Sequence, residues 1–137
     1  MSEHLREMRV LTLTAAKAMA AAAEAFALAR GWTVVIAVVD PAGGLMLLHC
    51  LDDTQPASQE IAVEKARTAA RMRRPTKALD DAIAGGRTAF LSLRAVVLEG
   101  GLPVRVNGHV VGAIGVSGMT SSQDGEVADA GLQGLQV

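Results

Sequence analysis

Two turn sequences, each between apolar runs, decide the kind of sheet that this chain can form. The run TVVIAVVD is joined to LMLLHCL by PAGG, and the runs LPVRV and VVGAIGV flank Asn107-Gly108. Asn-Gly between apolar runs is a strong hairpin signal, and Pro41 followed by two glycines also suits a turn. Hairpins join antiparallel strands, whereas parallel strands need long crossovers. The sequence therefore predicts an antiparallel sheet.

Helix signals lie before, between and after these strands. The four helical segments are the Ala-rich residues 13–30 before Gly31, a stretch around Lys65 that stops at Pro75, TKALDDAIA before Gly85-Gly86, and a stretch from Ser121. In the last of these, Asp124 follows Ser121 by three residues and resembles a capping box. Residues 88–99 are ambiguous between helix and strand. This order predicts an α+β fold, an antiparallel sheet with helices packed on it.

Length and composition limit the classes of protein. A chain of 137 residues predicts a single domain over residues 1–137. With 50% hydrophobic but only 2% aromatic residues, its core and any pocket must be mainly aliphatic. The net charge of −1 and the pI near 6.3, without a basic patch that carries interleaved aromatics, argue against a nucleic-acid partner.

Targeting and membrane signals are lacking. The N-terminus MSEHLREMRV has no basic start followed by an apolar run, and the longest apolar segment is interrupted by Lys17 and Glu24. The single cysteine, Cys50, excludes an internal disulfide and fits a reducing compartment. We therefore expect a cytoplasmic protein with no membrane partner.

Lys65 stands inside the apolar stripe of its helix, an unusual place for a cation. On a helical wheel of about 100° per residue, it falls among Ala62, Ala66, Ala69 and Ala70. Either its stem packs on the alanines while its ammonium reaches solvent or a carboxylate, or it lines a pocket. In a pocket it would face an anionic ligand or take part in acid–base chemistry. The wheel leaves both interpretations open.

Three further positions are candidates for holding an anion. Arg73, near the same stripe at the end of the helix, either clamps a carboxylate or bonds the last helix carbonyls. Gly101 and Gly118 belong to the glycine-rich stretches EGGLP and GAIGVSG. Glycine bares N–H groups that can bind an anion, and it also serves tight strand packing.

Carboxylate and imidazole side chains complete the candidates. Glu99 and Asp124 stand at the ends of predicted elements, where either capping or catalysis would place them, and Asp124 suits the first turn of a helix. His49 and Cys50 are adjacent, so on a strand they point to opposite faces and do not easily chelate one ion. Because no HExxH or CxxC motif is present either, we predict no metal site.

Four blocks of sequence carry a family resemblance. VVDPAGGL, PASQEIAVEKARTAARMRRPT, EGGLPVRVNGHVVGAIGVSG and QDGEVADAG, in this order, resemble the GlcG/HbpS family. This family is also called the haem-degrading or DUF336 family and is related to the C-terminal part of PduO. The resemblance covers about residues 11–135. It implies a profilin-like fold, a five-stranded antiparallel sheet flanked by helices, assembled into a dimer or larger homo-oligomer.

The resemblance also implies a small anionic ligand. Some members bind haem or a corrinoid, and others look like cofactor-free enzymes such as lyases. One hypothesis is that the chain binds a tetrapyrrole through His49 or His109, with the propionates near Lys65 or Arg73. The other is a metal-free lyase or isomerase acting on a small aromatic or hydroxy acid in a catabolic pathway, with Lys65 as acid or anchor and Glu99 as base. A plainer alternative is a structural partner whose oligomer matters more than its pocket.

The chain departs from the family at one place. Cys50-Leu51-Asp52 stands where members usually carry Arg-Met-Asp, so Cys50 occupies the position of an arginine that could hold an anion. The ligand-binding candidates are therefore His49, Cys50, Arg73, Gly101, Gly118 and His109. The catalytic candidates are Lys65, Glu99 and Asp124.

Overall fold

A four-stranded antiparallel sheet lies between helices, as the two hairpin signals predicted. The structure, a computed structural model, describes residues 2–135. Its elements are α1 (Leu13–Ala29), β1 (Val35–Val39), β2 (Leu45–Cys50), α2 (Ser58–Met72), α3 (Thr76–Ala84), a 3₁₀ helix (Thr88–Leu93), β3 (Gly101–Val106), β4 (His109–Ser117) and α4 (Ser121–Gln133). The predicted α+β class is confirmed.

The strand order β2-β1-β4-β3 places β1 inside the sheet and leaves β2 and β3 at its edges. Every residue of β1 is buried, and its near-continuous β-branched run is typical of a strand that is covered on both faces. Pro103 lies in β3, an edge strand, where a residue without an N–H is tolerated.

The helices cover the two faces of the sheet. α1 and α4 pack on one face, where Met19 and Val127 meet Ile36 and Ile114. α2 packs on the other face, where its buried alanines meet side chains of β1 and β4. The aliphatic core expected from the composition is thus present on both faces.

Two glycines allow α2 to lie very close to the sheet. A methyl group at Gly115 would overlap the Ala62 carbonyl oxygen, and one at Gly101 would overlap the Lys65 carbonyl oxygen. Backbone therefore packs directly on backbone, which only glycine permits at these positions. This close approach carries the Lys65 side chain into the interior.

The prediction of a fifth strand is wrong for the part of the chain that the structure describes, where the sheet has four strands. Residues 88–99 form the 3₁₀ helix and a loop instead. The Ser92 hydroxyl donates to the Ala89 carbonyl oxygen at 2.7 Å, and Arg94 has a left-handed φ of 54°. Both features curl the segment, so it does not extend beside β3. The profilin-like comparison stays a prediction.

The capping box of α4 is shifted by one residue from the prediction. Thr120, not Ser121, is the N-cap: its hydroxyl accepts from the Gln123 N–H at 3.2 Å, and Gln123 Oε1 accepts from the Thr120 N–H at 3.2 Å. Both Thr120-x-x-Gln123 and Ser121-x-x-Asp124 fit the sequence pattern. The first forms because the Asp124 side chain is engaged elsewhere, as described below.

The Ala-rich first helix forms as predicted and ends at Ala29, with Arg30 as its C-cap and Gly31 at a φ of 69°. Neither this helix nor any other within residues 2–135 is both long enough and apolar enough to cross a membrane.

Candidate functional site

The Lys65 side chain is buried and pairs with Asp124. Only 2% of Lys65 is exposed, and its Nζ donates to Asp124 Oδ2 and to the Val116 carbonyl oxygen, each at 3.0 Å. The predicted position of Lys65 inside the apolar stripe is confirmed. Its ammonium reaches a carboxylate, which agrees with the interpretation that its stem packs on the alanines. The pair ties α2 to the first turn of α4 across the end of β4.

The Asp124 carboxylate accepts two hydrogen bonds. Besides Lys65, the Met119 N–H donates to Oδ1 at 2.9 Å, and the Gly118 N–H faces the same carboxylate. Burial raises the pKa of the Asp124 carboxyl above its ordinary 3.8, and the nearby Lys65 ammonium and the two amides oppose this shift. Two hydrogen-bond donors and the facing Gly118 N–H around one buried carboxylate leave little room for a further ligand.

Glu99, the residue predicted to work with Lys65, lies in a different groove. It lines a cavity of about 640 Å³ along α1 and α4, with Phe26, Glu126 and Asp129. Its Oε2 lies 2.6 Å from the position that a methyl group on Gly125 would take, so Gly125 makes room for it. Within the described residues 2–135, Asp124 supplies the only carboxylate within 4.0 Å of the Lys65 Nζ.

The two candidate glycines use their N–H groups within the chain. The Gly101 N–H donates to the Thr76 hydroxyl at 2.8 Å, and the Gly118 N–H faces Asp124 as noted above. Gly118 has a φ of 140° and lies so close to Thr33 that a methyl group would come 2.5 Å from its carbonyl oxygen. Tight packing explains both positions, and their role in holding an anion stays a prediction.

Arg73 and His109, two of the predicted ligand-binding residues, line one groove of about 870 Å³. We call this cavity the basic groove. Its walls are the N-terminal segment, the turn after β1, the residue that follows α2 and the β3–β4 hairpin. The lining residues are Arg6, Glu7, Met8, Arg9, Val10, Asp40, Pro41, Ala42, Arg73, Val106, Asn107, Gly108, His109 and Val110.

The backbone at Arg73 is fixed by its neighbours. Arg73 is the C-cap of α2 with a left-handed φ of 55°, and the Arg105 side chain donates to its carbonyl oxygen. Arg74 Nε, not Arg73, donates to a carbonyl near the helix end, that of Met72, at 3.1 Å. This leaves the Arg73 guanidinium available to the groove.

The turn that forms another wall is held from both sides. Asp40 Oδ1 accepts from the N–H groups of Ala42 and Gly44 at 2.8 and 2.9 Å. From α2, Arg71 Nε donates to the Ala42 carbonyl and Arg67 Nε to the Gly43 carbonyl, each at 3.0 Å. Two arginines of α2 therefore help to position this wall of the groove.

The groove contains more positive than negative side chains. In the part of the chain that the structure describes, no carboxylate lies within 4.0 Å of the guanidinium groups of Arg6, Arg9 and Arg73. Glu7 and Asp40 are the two carboxylates of the lining. Guanidinium groups without partners beside an imidazole can receive an anionic ligand.

His49 and Cys50 lie on opposite faces of β2, as predicted. His49 pairs in register with Ile36 and Cys50 with Val35, and these two β1 residues belong to different cores. His49 Nδ1 lies 3.3 Å from Glu24 Oε1, and a third of the side chain is exposed. Among residues 2–135, no group of three His, Cys, Asp or Glu side chains is arranged to hold a metal ion.

Sequence reasoning missed Arg6 and Arg9. They lie before the first helix, in a stretch without periodicity, and nothing local indicates that it folds back over the β3–β4 hairpin. The segment is held where it leads into the first helix by Leu11, which is buried and whose N–H donates to the Val111 carbonyl oxygen at 2.9 Å. Such a contact joins residues 100 positions apart and has no local signature.

Comparisons with known proteins agree with this fold. A family model described as "Haem degrading protein HbpS-like" matches residues 11–133. Protein GlcG of Escherichia coli K12 is 45% identical over 109 residues, 79% of this chain and 81% of that protein. The crystal structure of a double mutant of HbpS from Streptomyces reticuli superposes with a TM-score of 0.91 at 33% identity, covering 100% of this chain and 94% of that one. The crystal structure of a PduOC–haem complex gives a TM-score of 0.84 at 27% identity, covering 93% and 96%. This chain therefore belongs to the HbpS-like family.

Proposed function

We propose that this protein binds an anionic tetrapyrrole, haem or alternatively a corrinoid, in the basic groove. The observation that carries the proposal is the position of the His109 imidazole in one groove with three arginines that lack carboxylate partners among the described residues. The similarity to a protein solved as a haem complex supports the same class of ligand.

The residues of the groove have the chemistry that haem needs. A guanidinium pairs with a carboxylate through two parallel hydrogen bonds, so Arg73 would hold a propionate. Imidazole commonly binds haem iron, and His109 is the residue of this groove that would supply it. Bound haem would contribute the redox and ligand-binding chemistry of its iron, while the chain binds and orients it.

The size and the apolar part of the groove also suit such a ligand. Small-molecule sites commonly measure about 300–1,000 Å³, and the groove lies within this range at about 870 Å³. Met8, Val10, Val106 and Val110 offer aliphatic surface to a macrocycle. Aliphatic side chains are the lining that a chain with 2% aromatic residues can provide.

A haem titration followed by absorbance tests the proposal. We expect the wild type to give a saturable Soret change at one haem per chain, and His109→Ala to shift or abolish it. His49→Ala is the matched control, because it removes an imidazole outside the groove and should leave the spectrum unchanged. If His49→Ala abolishes the change and His109→Ala does not, the groove is the wrong site; weak, non-saturating spectra of the wild type would overturn haem binding itself.

A cofactor-free lyase or isomerase is the second candidate function. The observation in its favour is that Asp124, paired with Lys65, immediately precedes Gly125, against which the Glu99 carboxylate lies in the 640 Å³ groove. The anionic substrate would be a small aromatic or hydroxy acid. Turnover of such an acid by the wild type, lost in Glu99→Gln while haem binding persists, would support this candidate over the first.

We further propose that the protein is a homo-oligomer. The large side chains of Leu91, Leu93 and Leu98 are 40–64% exposed between α3 and β3, and several exposed apolar side chains in one segment favour an interaction site. Light scattering should give a multiple of the 14.1 kDa chain mass, and a 14.1 kDa species at micromolar concentration would contradict this. The cytoplasmic location stays a prediction.

A further inference from the structure

We propose that Arg6 and Arg9 select ligands with two acidic groups, by holding in the basic groove the acidic group that Arg73 does not hold. This inference rests on the proposed function of the groove. It assigns a specificity role to residues 2–10, which we call the N-terminal arm.

The described residues of the arm make no main-chain hydrogen bond to the rest of the fold. Within the described residues, Leu11 makes the first main-chain hydrogen bond between this part of the chain and the rest, to Val111 at 2.9 Å. Inside the arm, the Leu5 N–H donates to the Ser2 carbonyl oxygen at 3.1 Å, a purely local bond. The arm nevertheless forms a wall of the groove through Arg6 to Val10. A ligand in the groove would therefore contact the side chains of the arm and not a hydrogen-bonded strand.

The two arginines of the arm do not stabilise the described fold through hydrogen bonds or ion pairs. In the described part of the chain neither guanidinium forms a hydrogen bond or an ion pair, although Glu7 stands between them in sequence. By contrast, Arg67 and Arg71 on α2 are both bonded to carbonyl groups of the turn after β1. Two exposed cations that line a cavity and lack partners are available for an anion.

The arginines of the groove come from two independent elements. Arg73 follows α2 and its backbone is held by Arg105, whereas Arg6 and Arg9 belong to the arm. A ligand with one carboxylate can engage only one of these elements at full strength. A ligand with two carboxylates, such as the two propionates of haem, can engage both, and this difference in affinity is what we mean by selection.

The test compares ferric haem with its dimethyl ester, which keeps the macrocycle and iron but has no free carboxylate. Both ligands are titrated into the wild type, Arg6→Gln/Arg9→Gln and Arg73→Gln. The control is Arg87→Gln/Arg94→Gln, which removes the same charge from two exposed arginines outside the groove. Because the arm lies outside the helices and strands, a circular dichroism spectrum should show that the fold is retained.

We expect the arm variant to bind haem about 10- to 100-fold more weakly than the wild type, from the loss of charge-assisted hydrogen bonds. Its affinity for the dimethyl ester should not change, and the control should bind both ligands as the wild type does. Arg6→Lys/Arg9→Lys should recover part of the loss, because lysine keeps the charge but lacks the bidentate fork.

Two results would overturn this inference but leave the proposed function standing. In the first, the arm variant binds haem as tightly as the wild type does. In the second, it loses affinity equally for haem and for the ester, which would assign the arm a steric role. Absence of saturable haem binding by the wild type would instead overturn the proposed function together with this inference.

Discussion

At the scale of single residues, the buried pair of Lys65 and Asp124 should have the largest effect on stability. Lys65→Met would leave a buried carboxylate without its ammonium, and we expect it to lower the free energy of unfolding by about 3–5 kcal/mol. Lys65→Met combined with Asp124→Leu removes both charges and should restore part of this loss, because an apolar pair has no desolvation cost while the Met119 N–H loses its acceptor. Urea denaturation of the four members of this cycle measures both effects.

Lys17→Met provides a control for the loss of a lysine as such. Lys17 is exposed on α1 and forms no ion pair among the described residues, so its replacement should change the free energy of unfolding by less than about 0.5 kcal/mol. Equal effects of Lys17→Met and Lys65→Met would contradict the importance of the buried pair.

The raised pKa of Asp124 gives a dependence of stability on pH with a definite sign. Below its ordinary pKa of 3.8 the carboxyl is protonated in both the folded and the unfolded chain. Above 3.8 the folded chain keeps the proton to higher pH, so the contribution of Asp124 to stability is lost as the pH rises through the folded-state pKa. We therefore compare the free energy of unfolding of the wild type with that of Asp124→Asn. The wild-type value minus the variant value should fall as the pH rises from 3.8 through the folded-state pKa. A difference that grows with pH would mean that the attraction of Lys65 outweighs burial.

The sequence could indicate that Lys65 is buried but not which residue it contacts. Its position among alanines follows from helical periodicity, which is local. Asp124 is 59 positions away, and the sequence favoured Glu99 as the carboxylate beside Lys65, with Asp124 as a residue of the first turn of a helix. Only the packing of α2 against β4, made possible by Gly115, decides between them.

At the scale of elements, the N-cap of α4 can be tested directly. Thr120→Ala removes the hydroxyl that accepts from the Gln123 N–H, and we expect it to lower the free energy of unfolding by about 1 kcal/mol. Ser121→Ala, one residue along, should have a much smaller effect, since the Ser121 hydroxyl makes no capping bond in the described structure. Thermal or urea unfolding of both variants would show the difference, and a larger effect of Ser121→Ala would favour the capping box read from the sequence.

Elements with a strong local pattern were predictable, and segments without one were not. The β-branched run of β1 and the Asn107-Gly108 turn are strong signals, and both formed as expected. Residues 88–99 mix apolar residues at no clear period, and their curled form includes a hydroxyl contact of Ser92 and the left-handed Arg94. The N-terminal arm has no periodic pattern of apolar residues. Its contribution to the wall of the basic groove was therefore not predicted.

At the scale of the whole molecule, the distribution of charge matters more than its sum. The chain carries a net charge of −1, which predicts no long-range attraction for an anion. Folding nevertheless brings Arg6, Arg9 and Arg73 to one groove, although they come from distant parts of the chain. Any attraction for an anionic ligand is therefore local to the groove and must decay over a short range.

This locality predicts how haem binding depends on salt. The Debye length falls from about 10 Å at 0.1 M salt to about 3 Å at 1 M, so the attraction between groove arginines and propionates is weakened as salt is added. Between about 0.05 and 0.5 M salt we expect the Kd for haem to rise by about 3- to 10-fold. The Kd for the dimethyl ester, which has no free carboxylate, should change much less under the same conditions. Absorbance titrations of both ligands over this range provide the measurement, and equal salt dependence for the two would show that the arginines of the groove do not pair with the carboxylates.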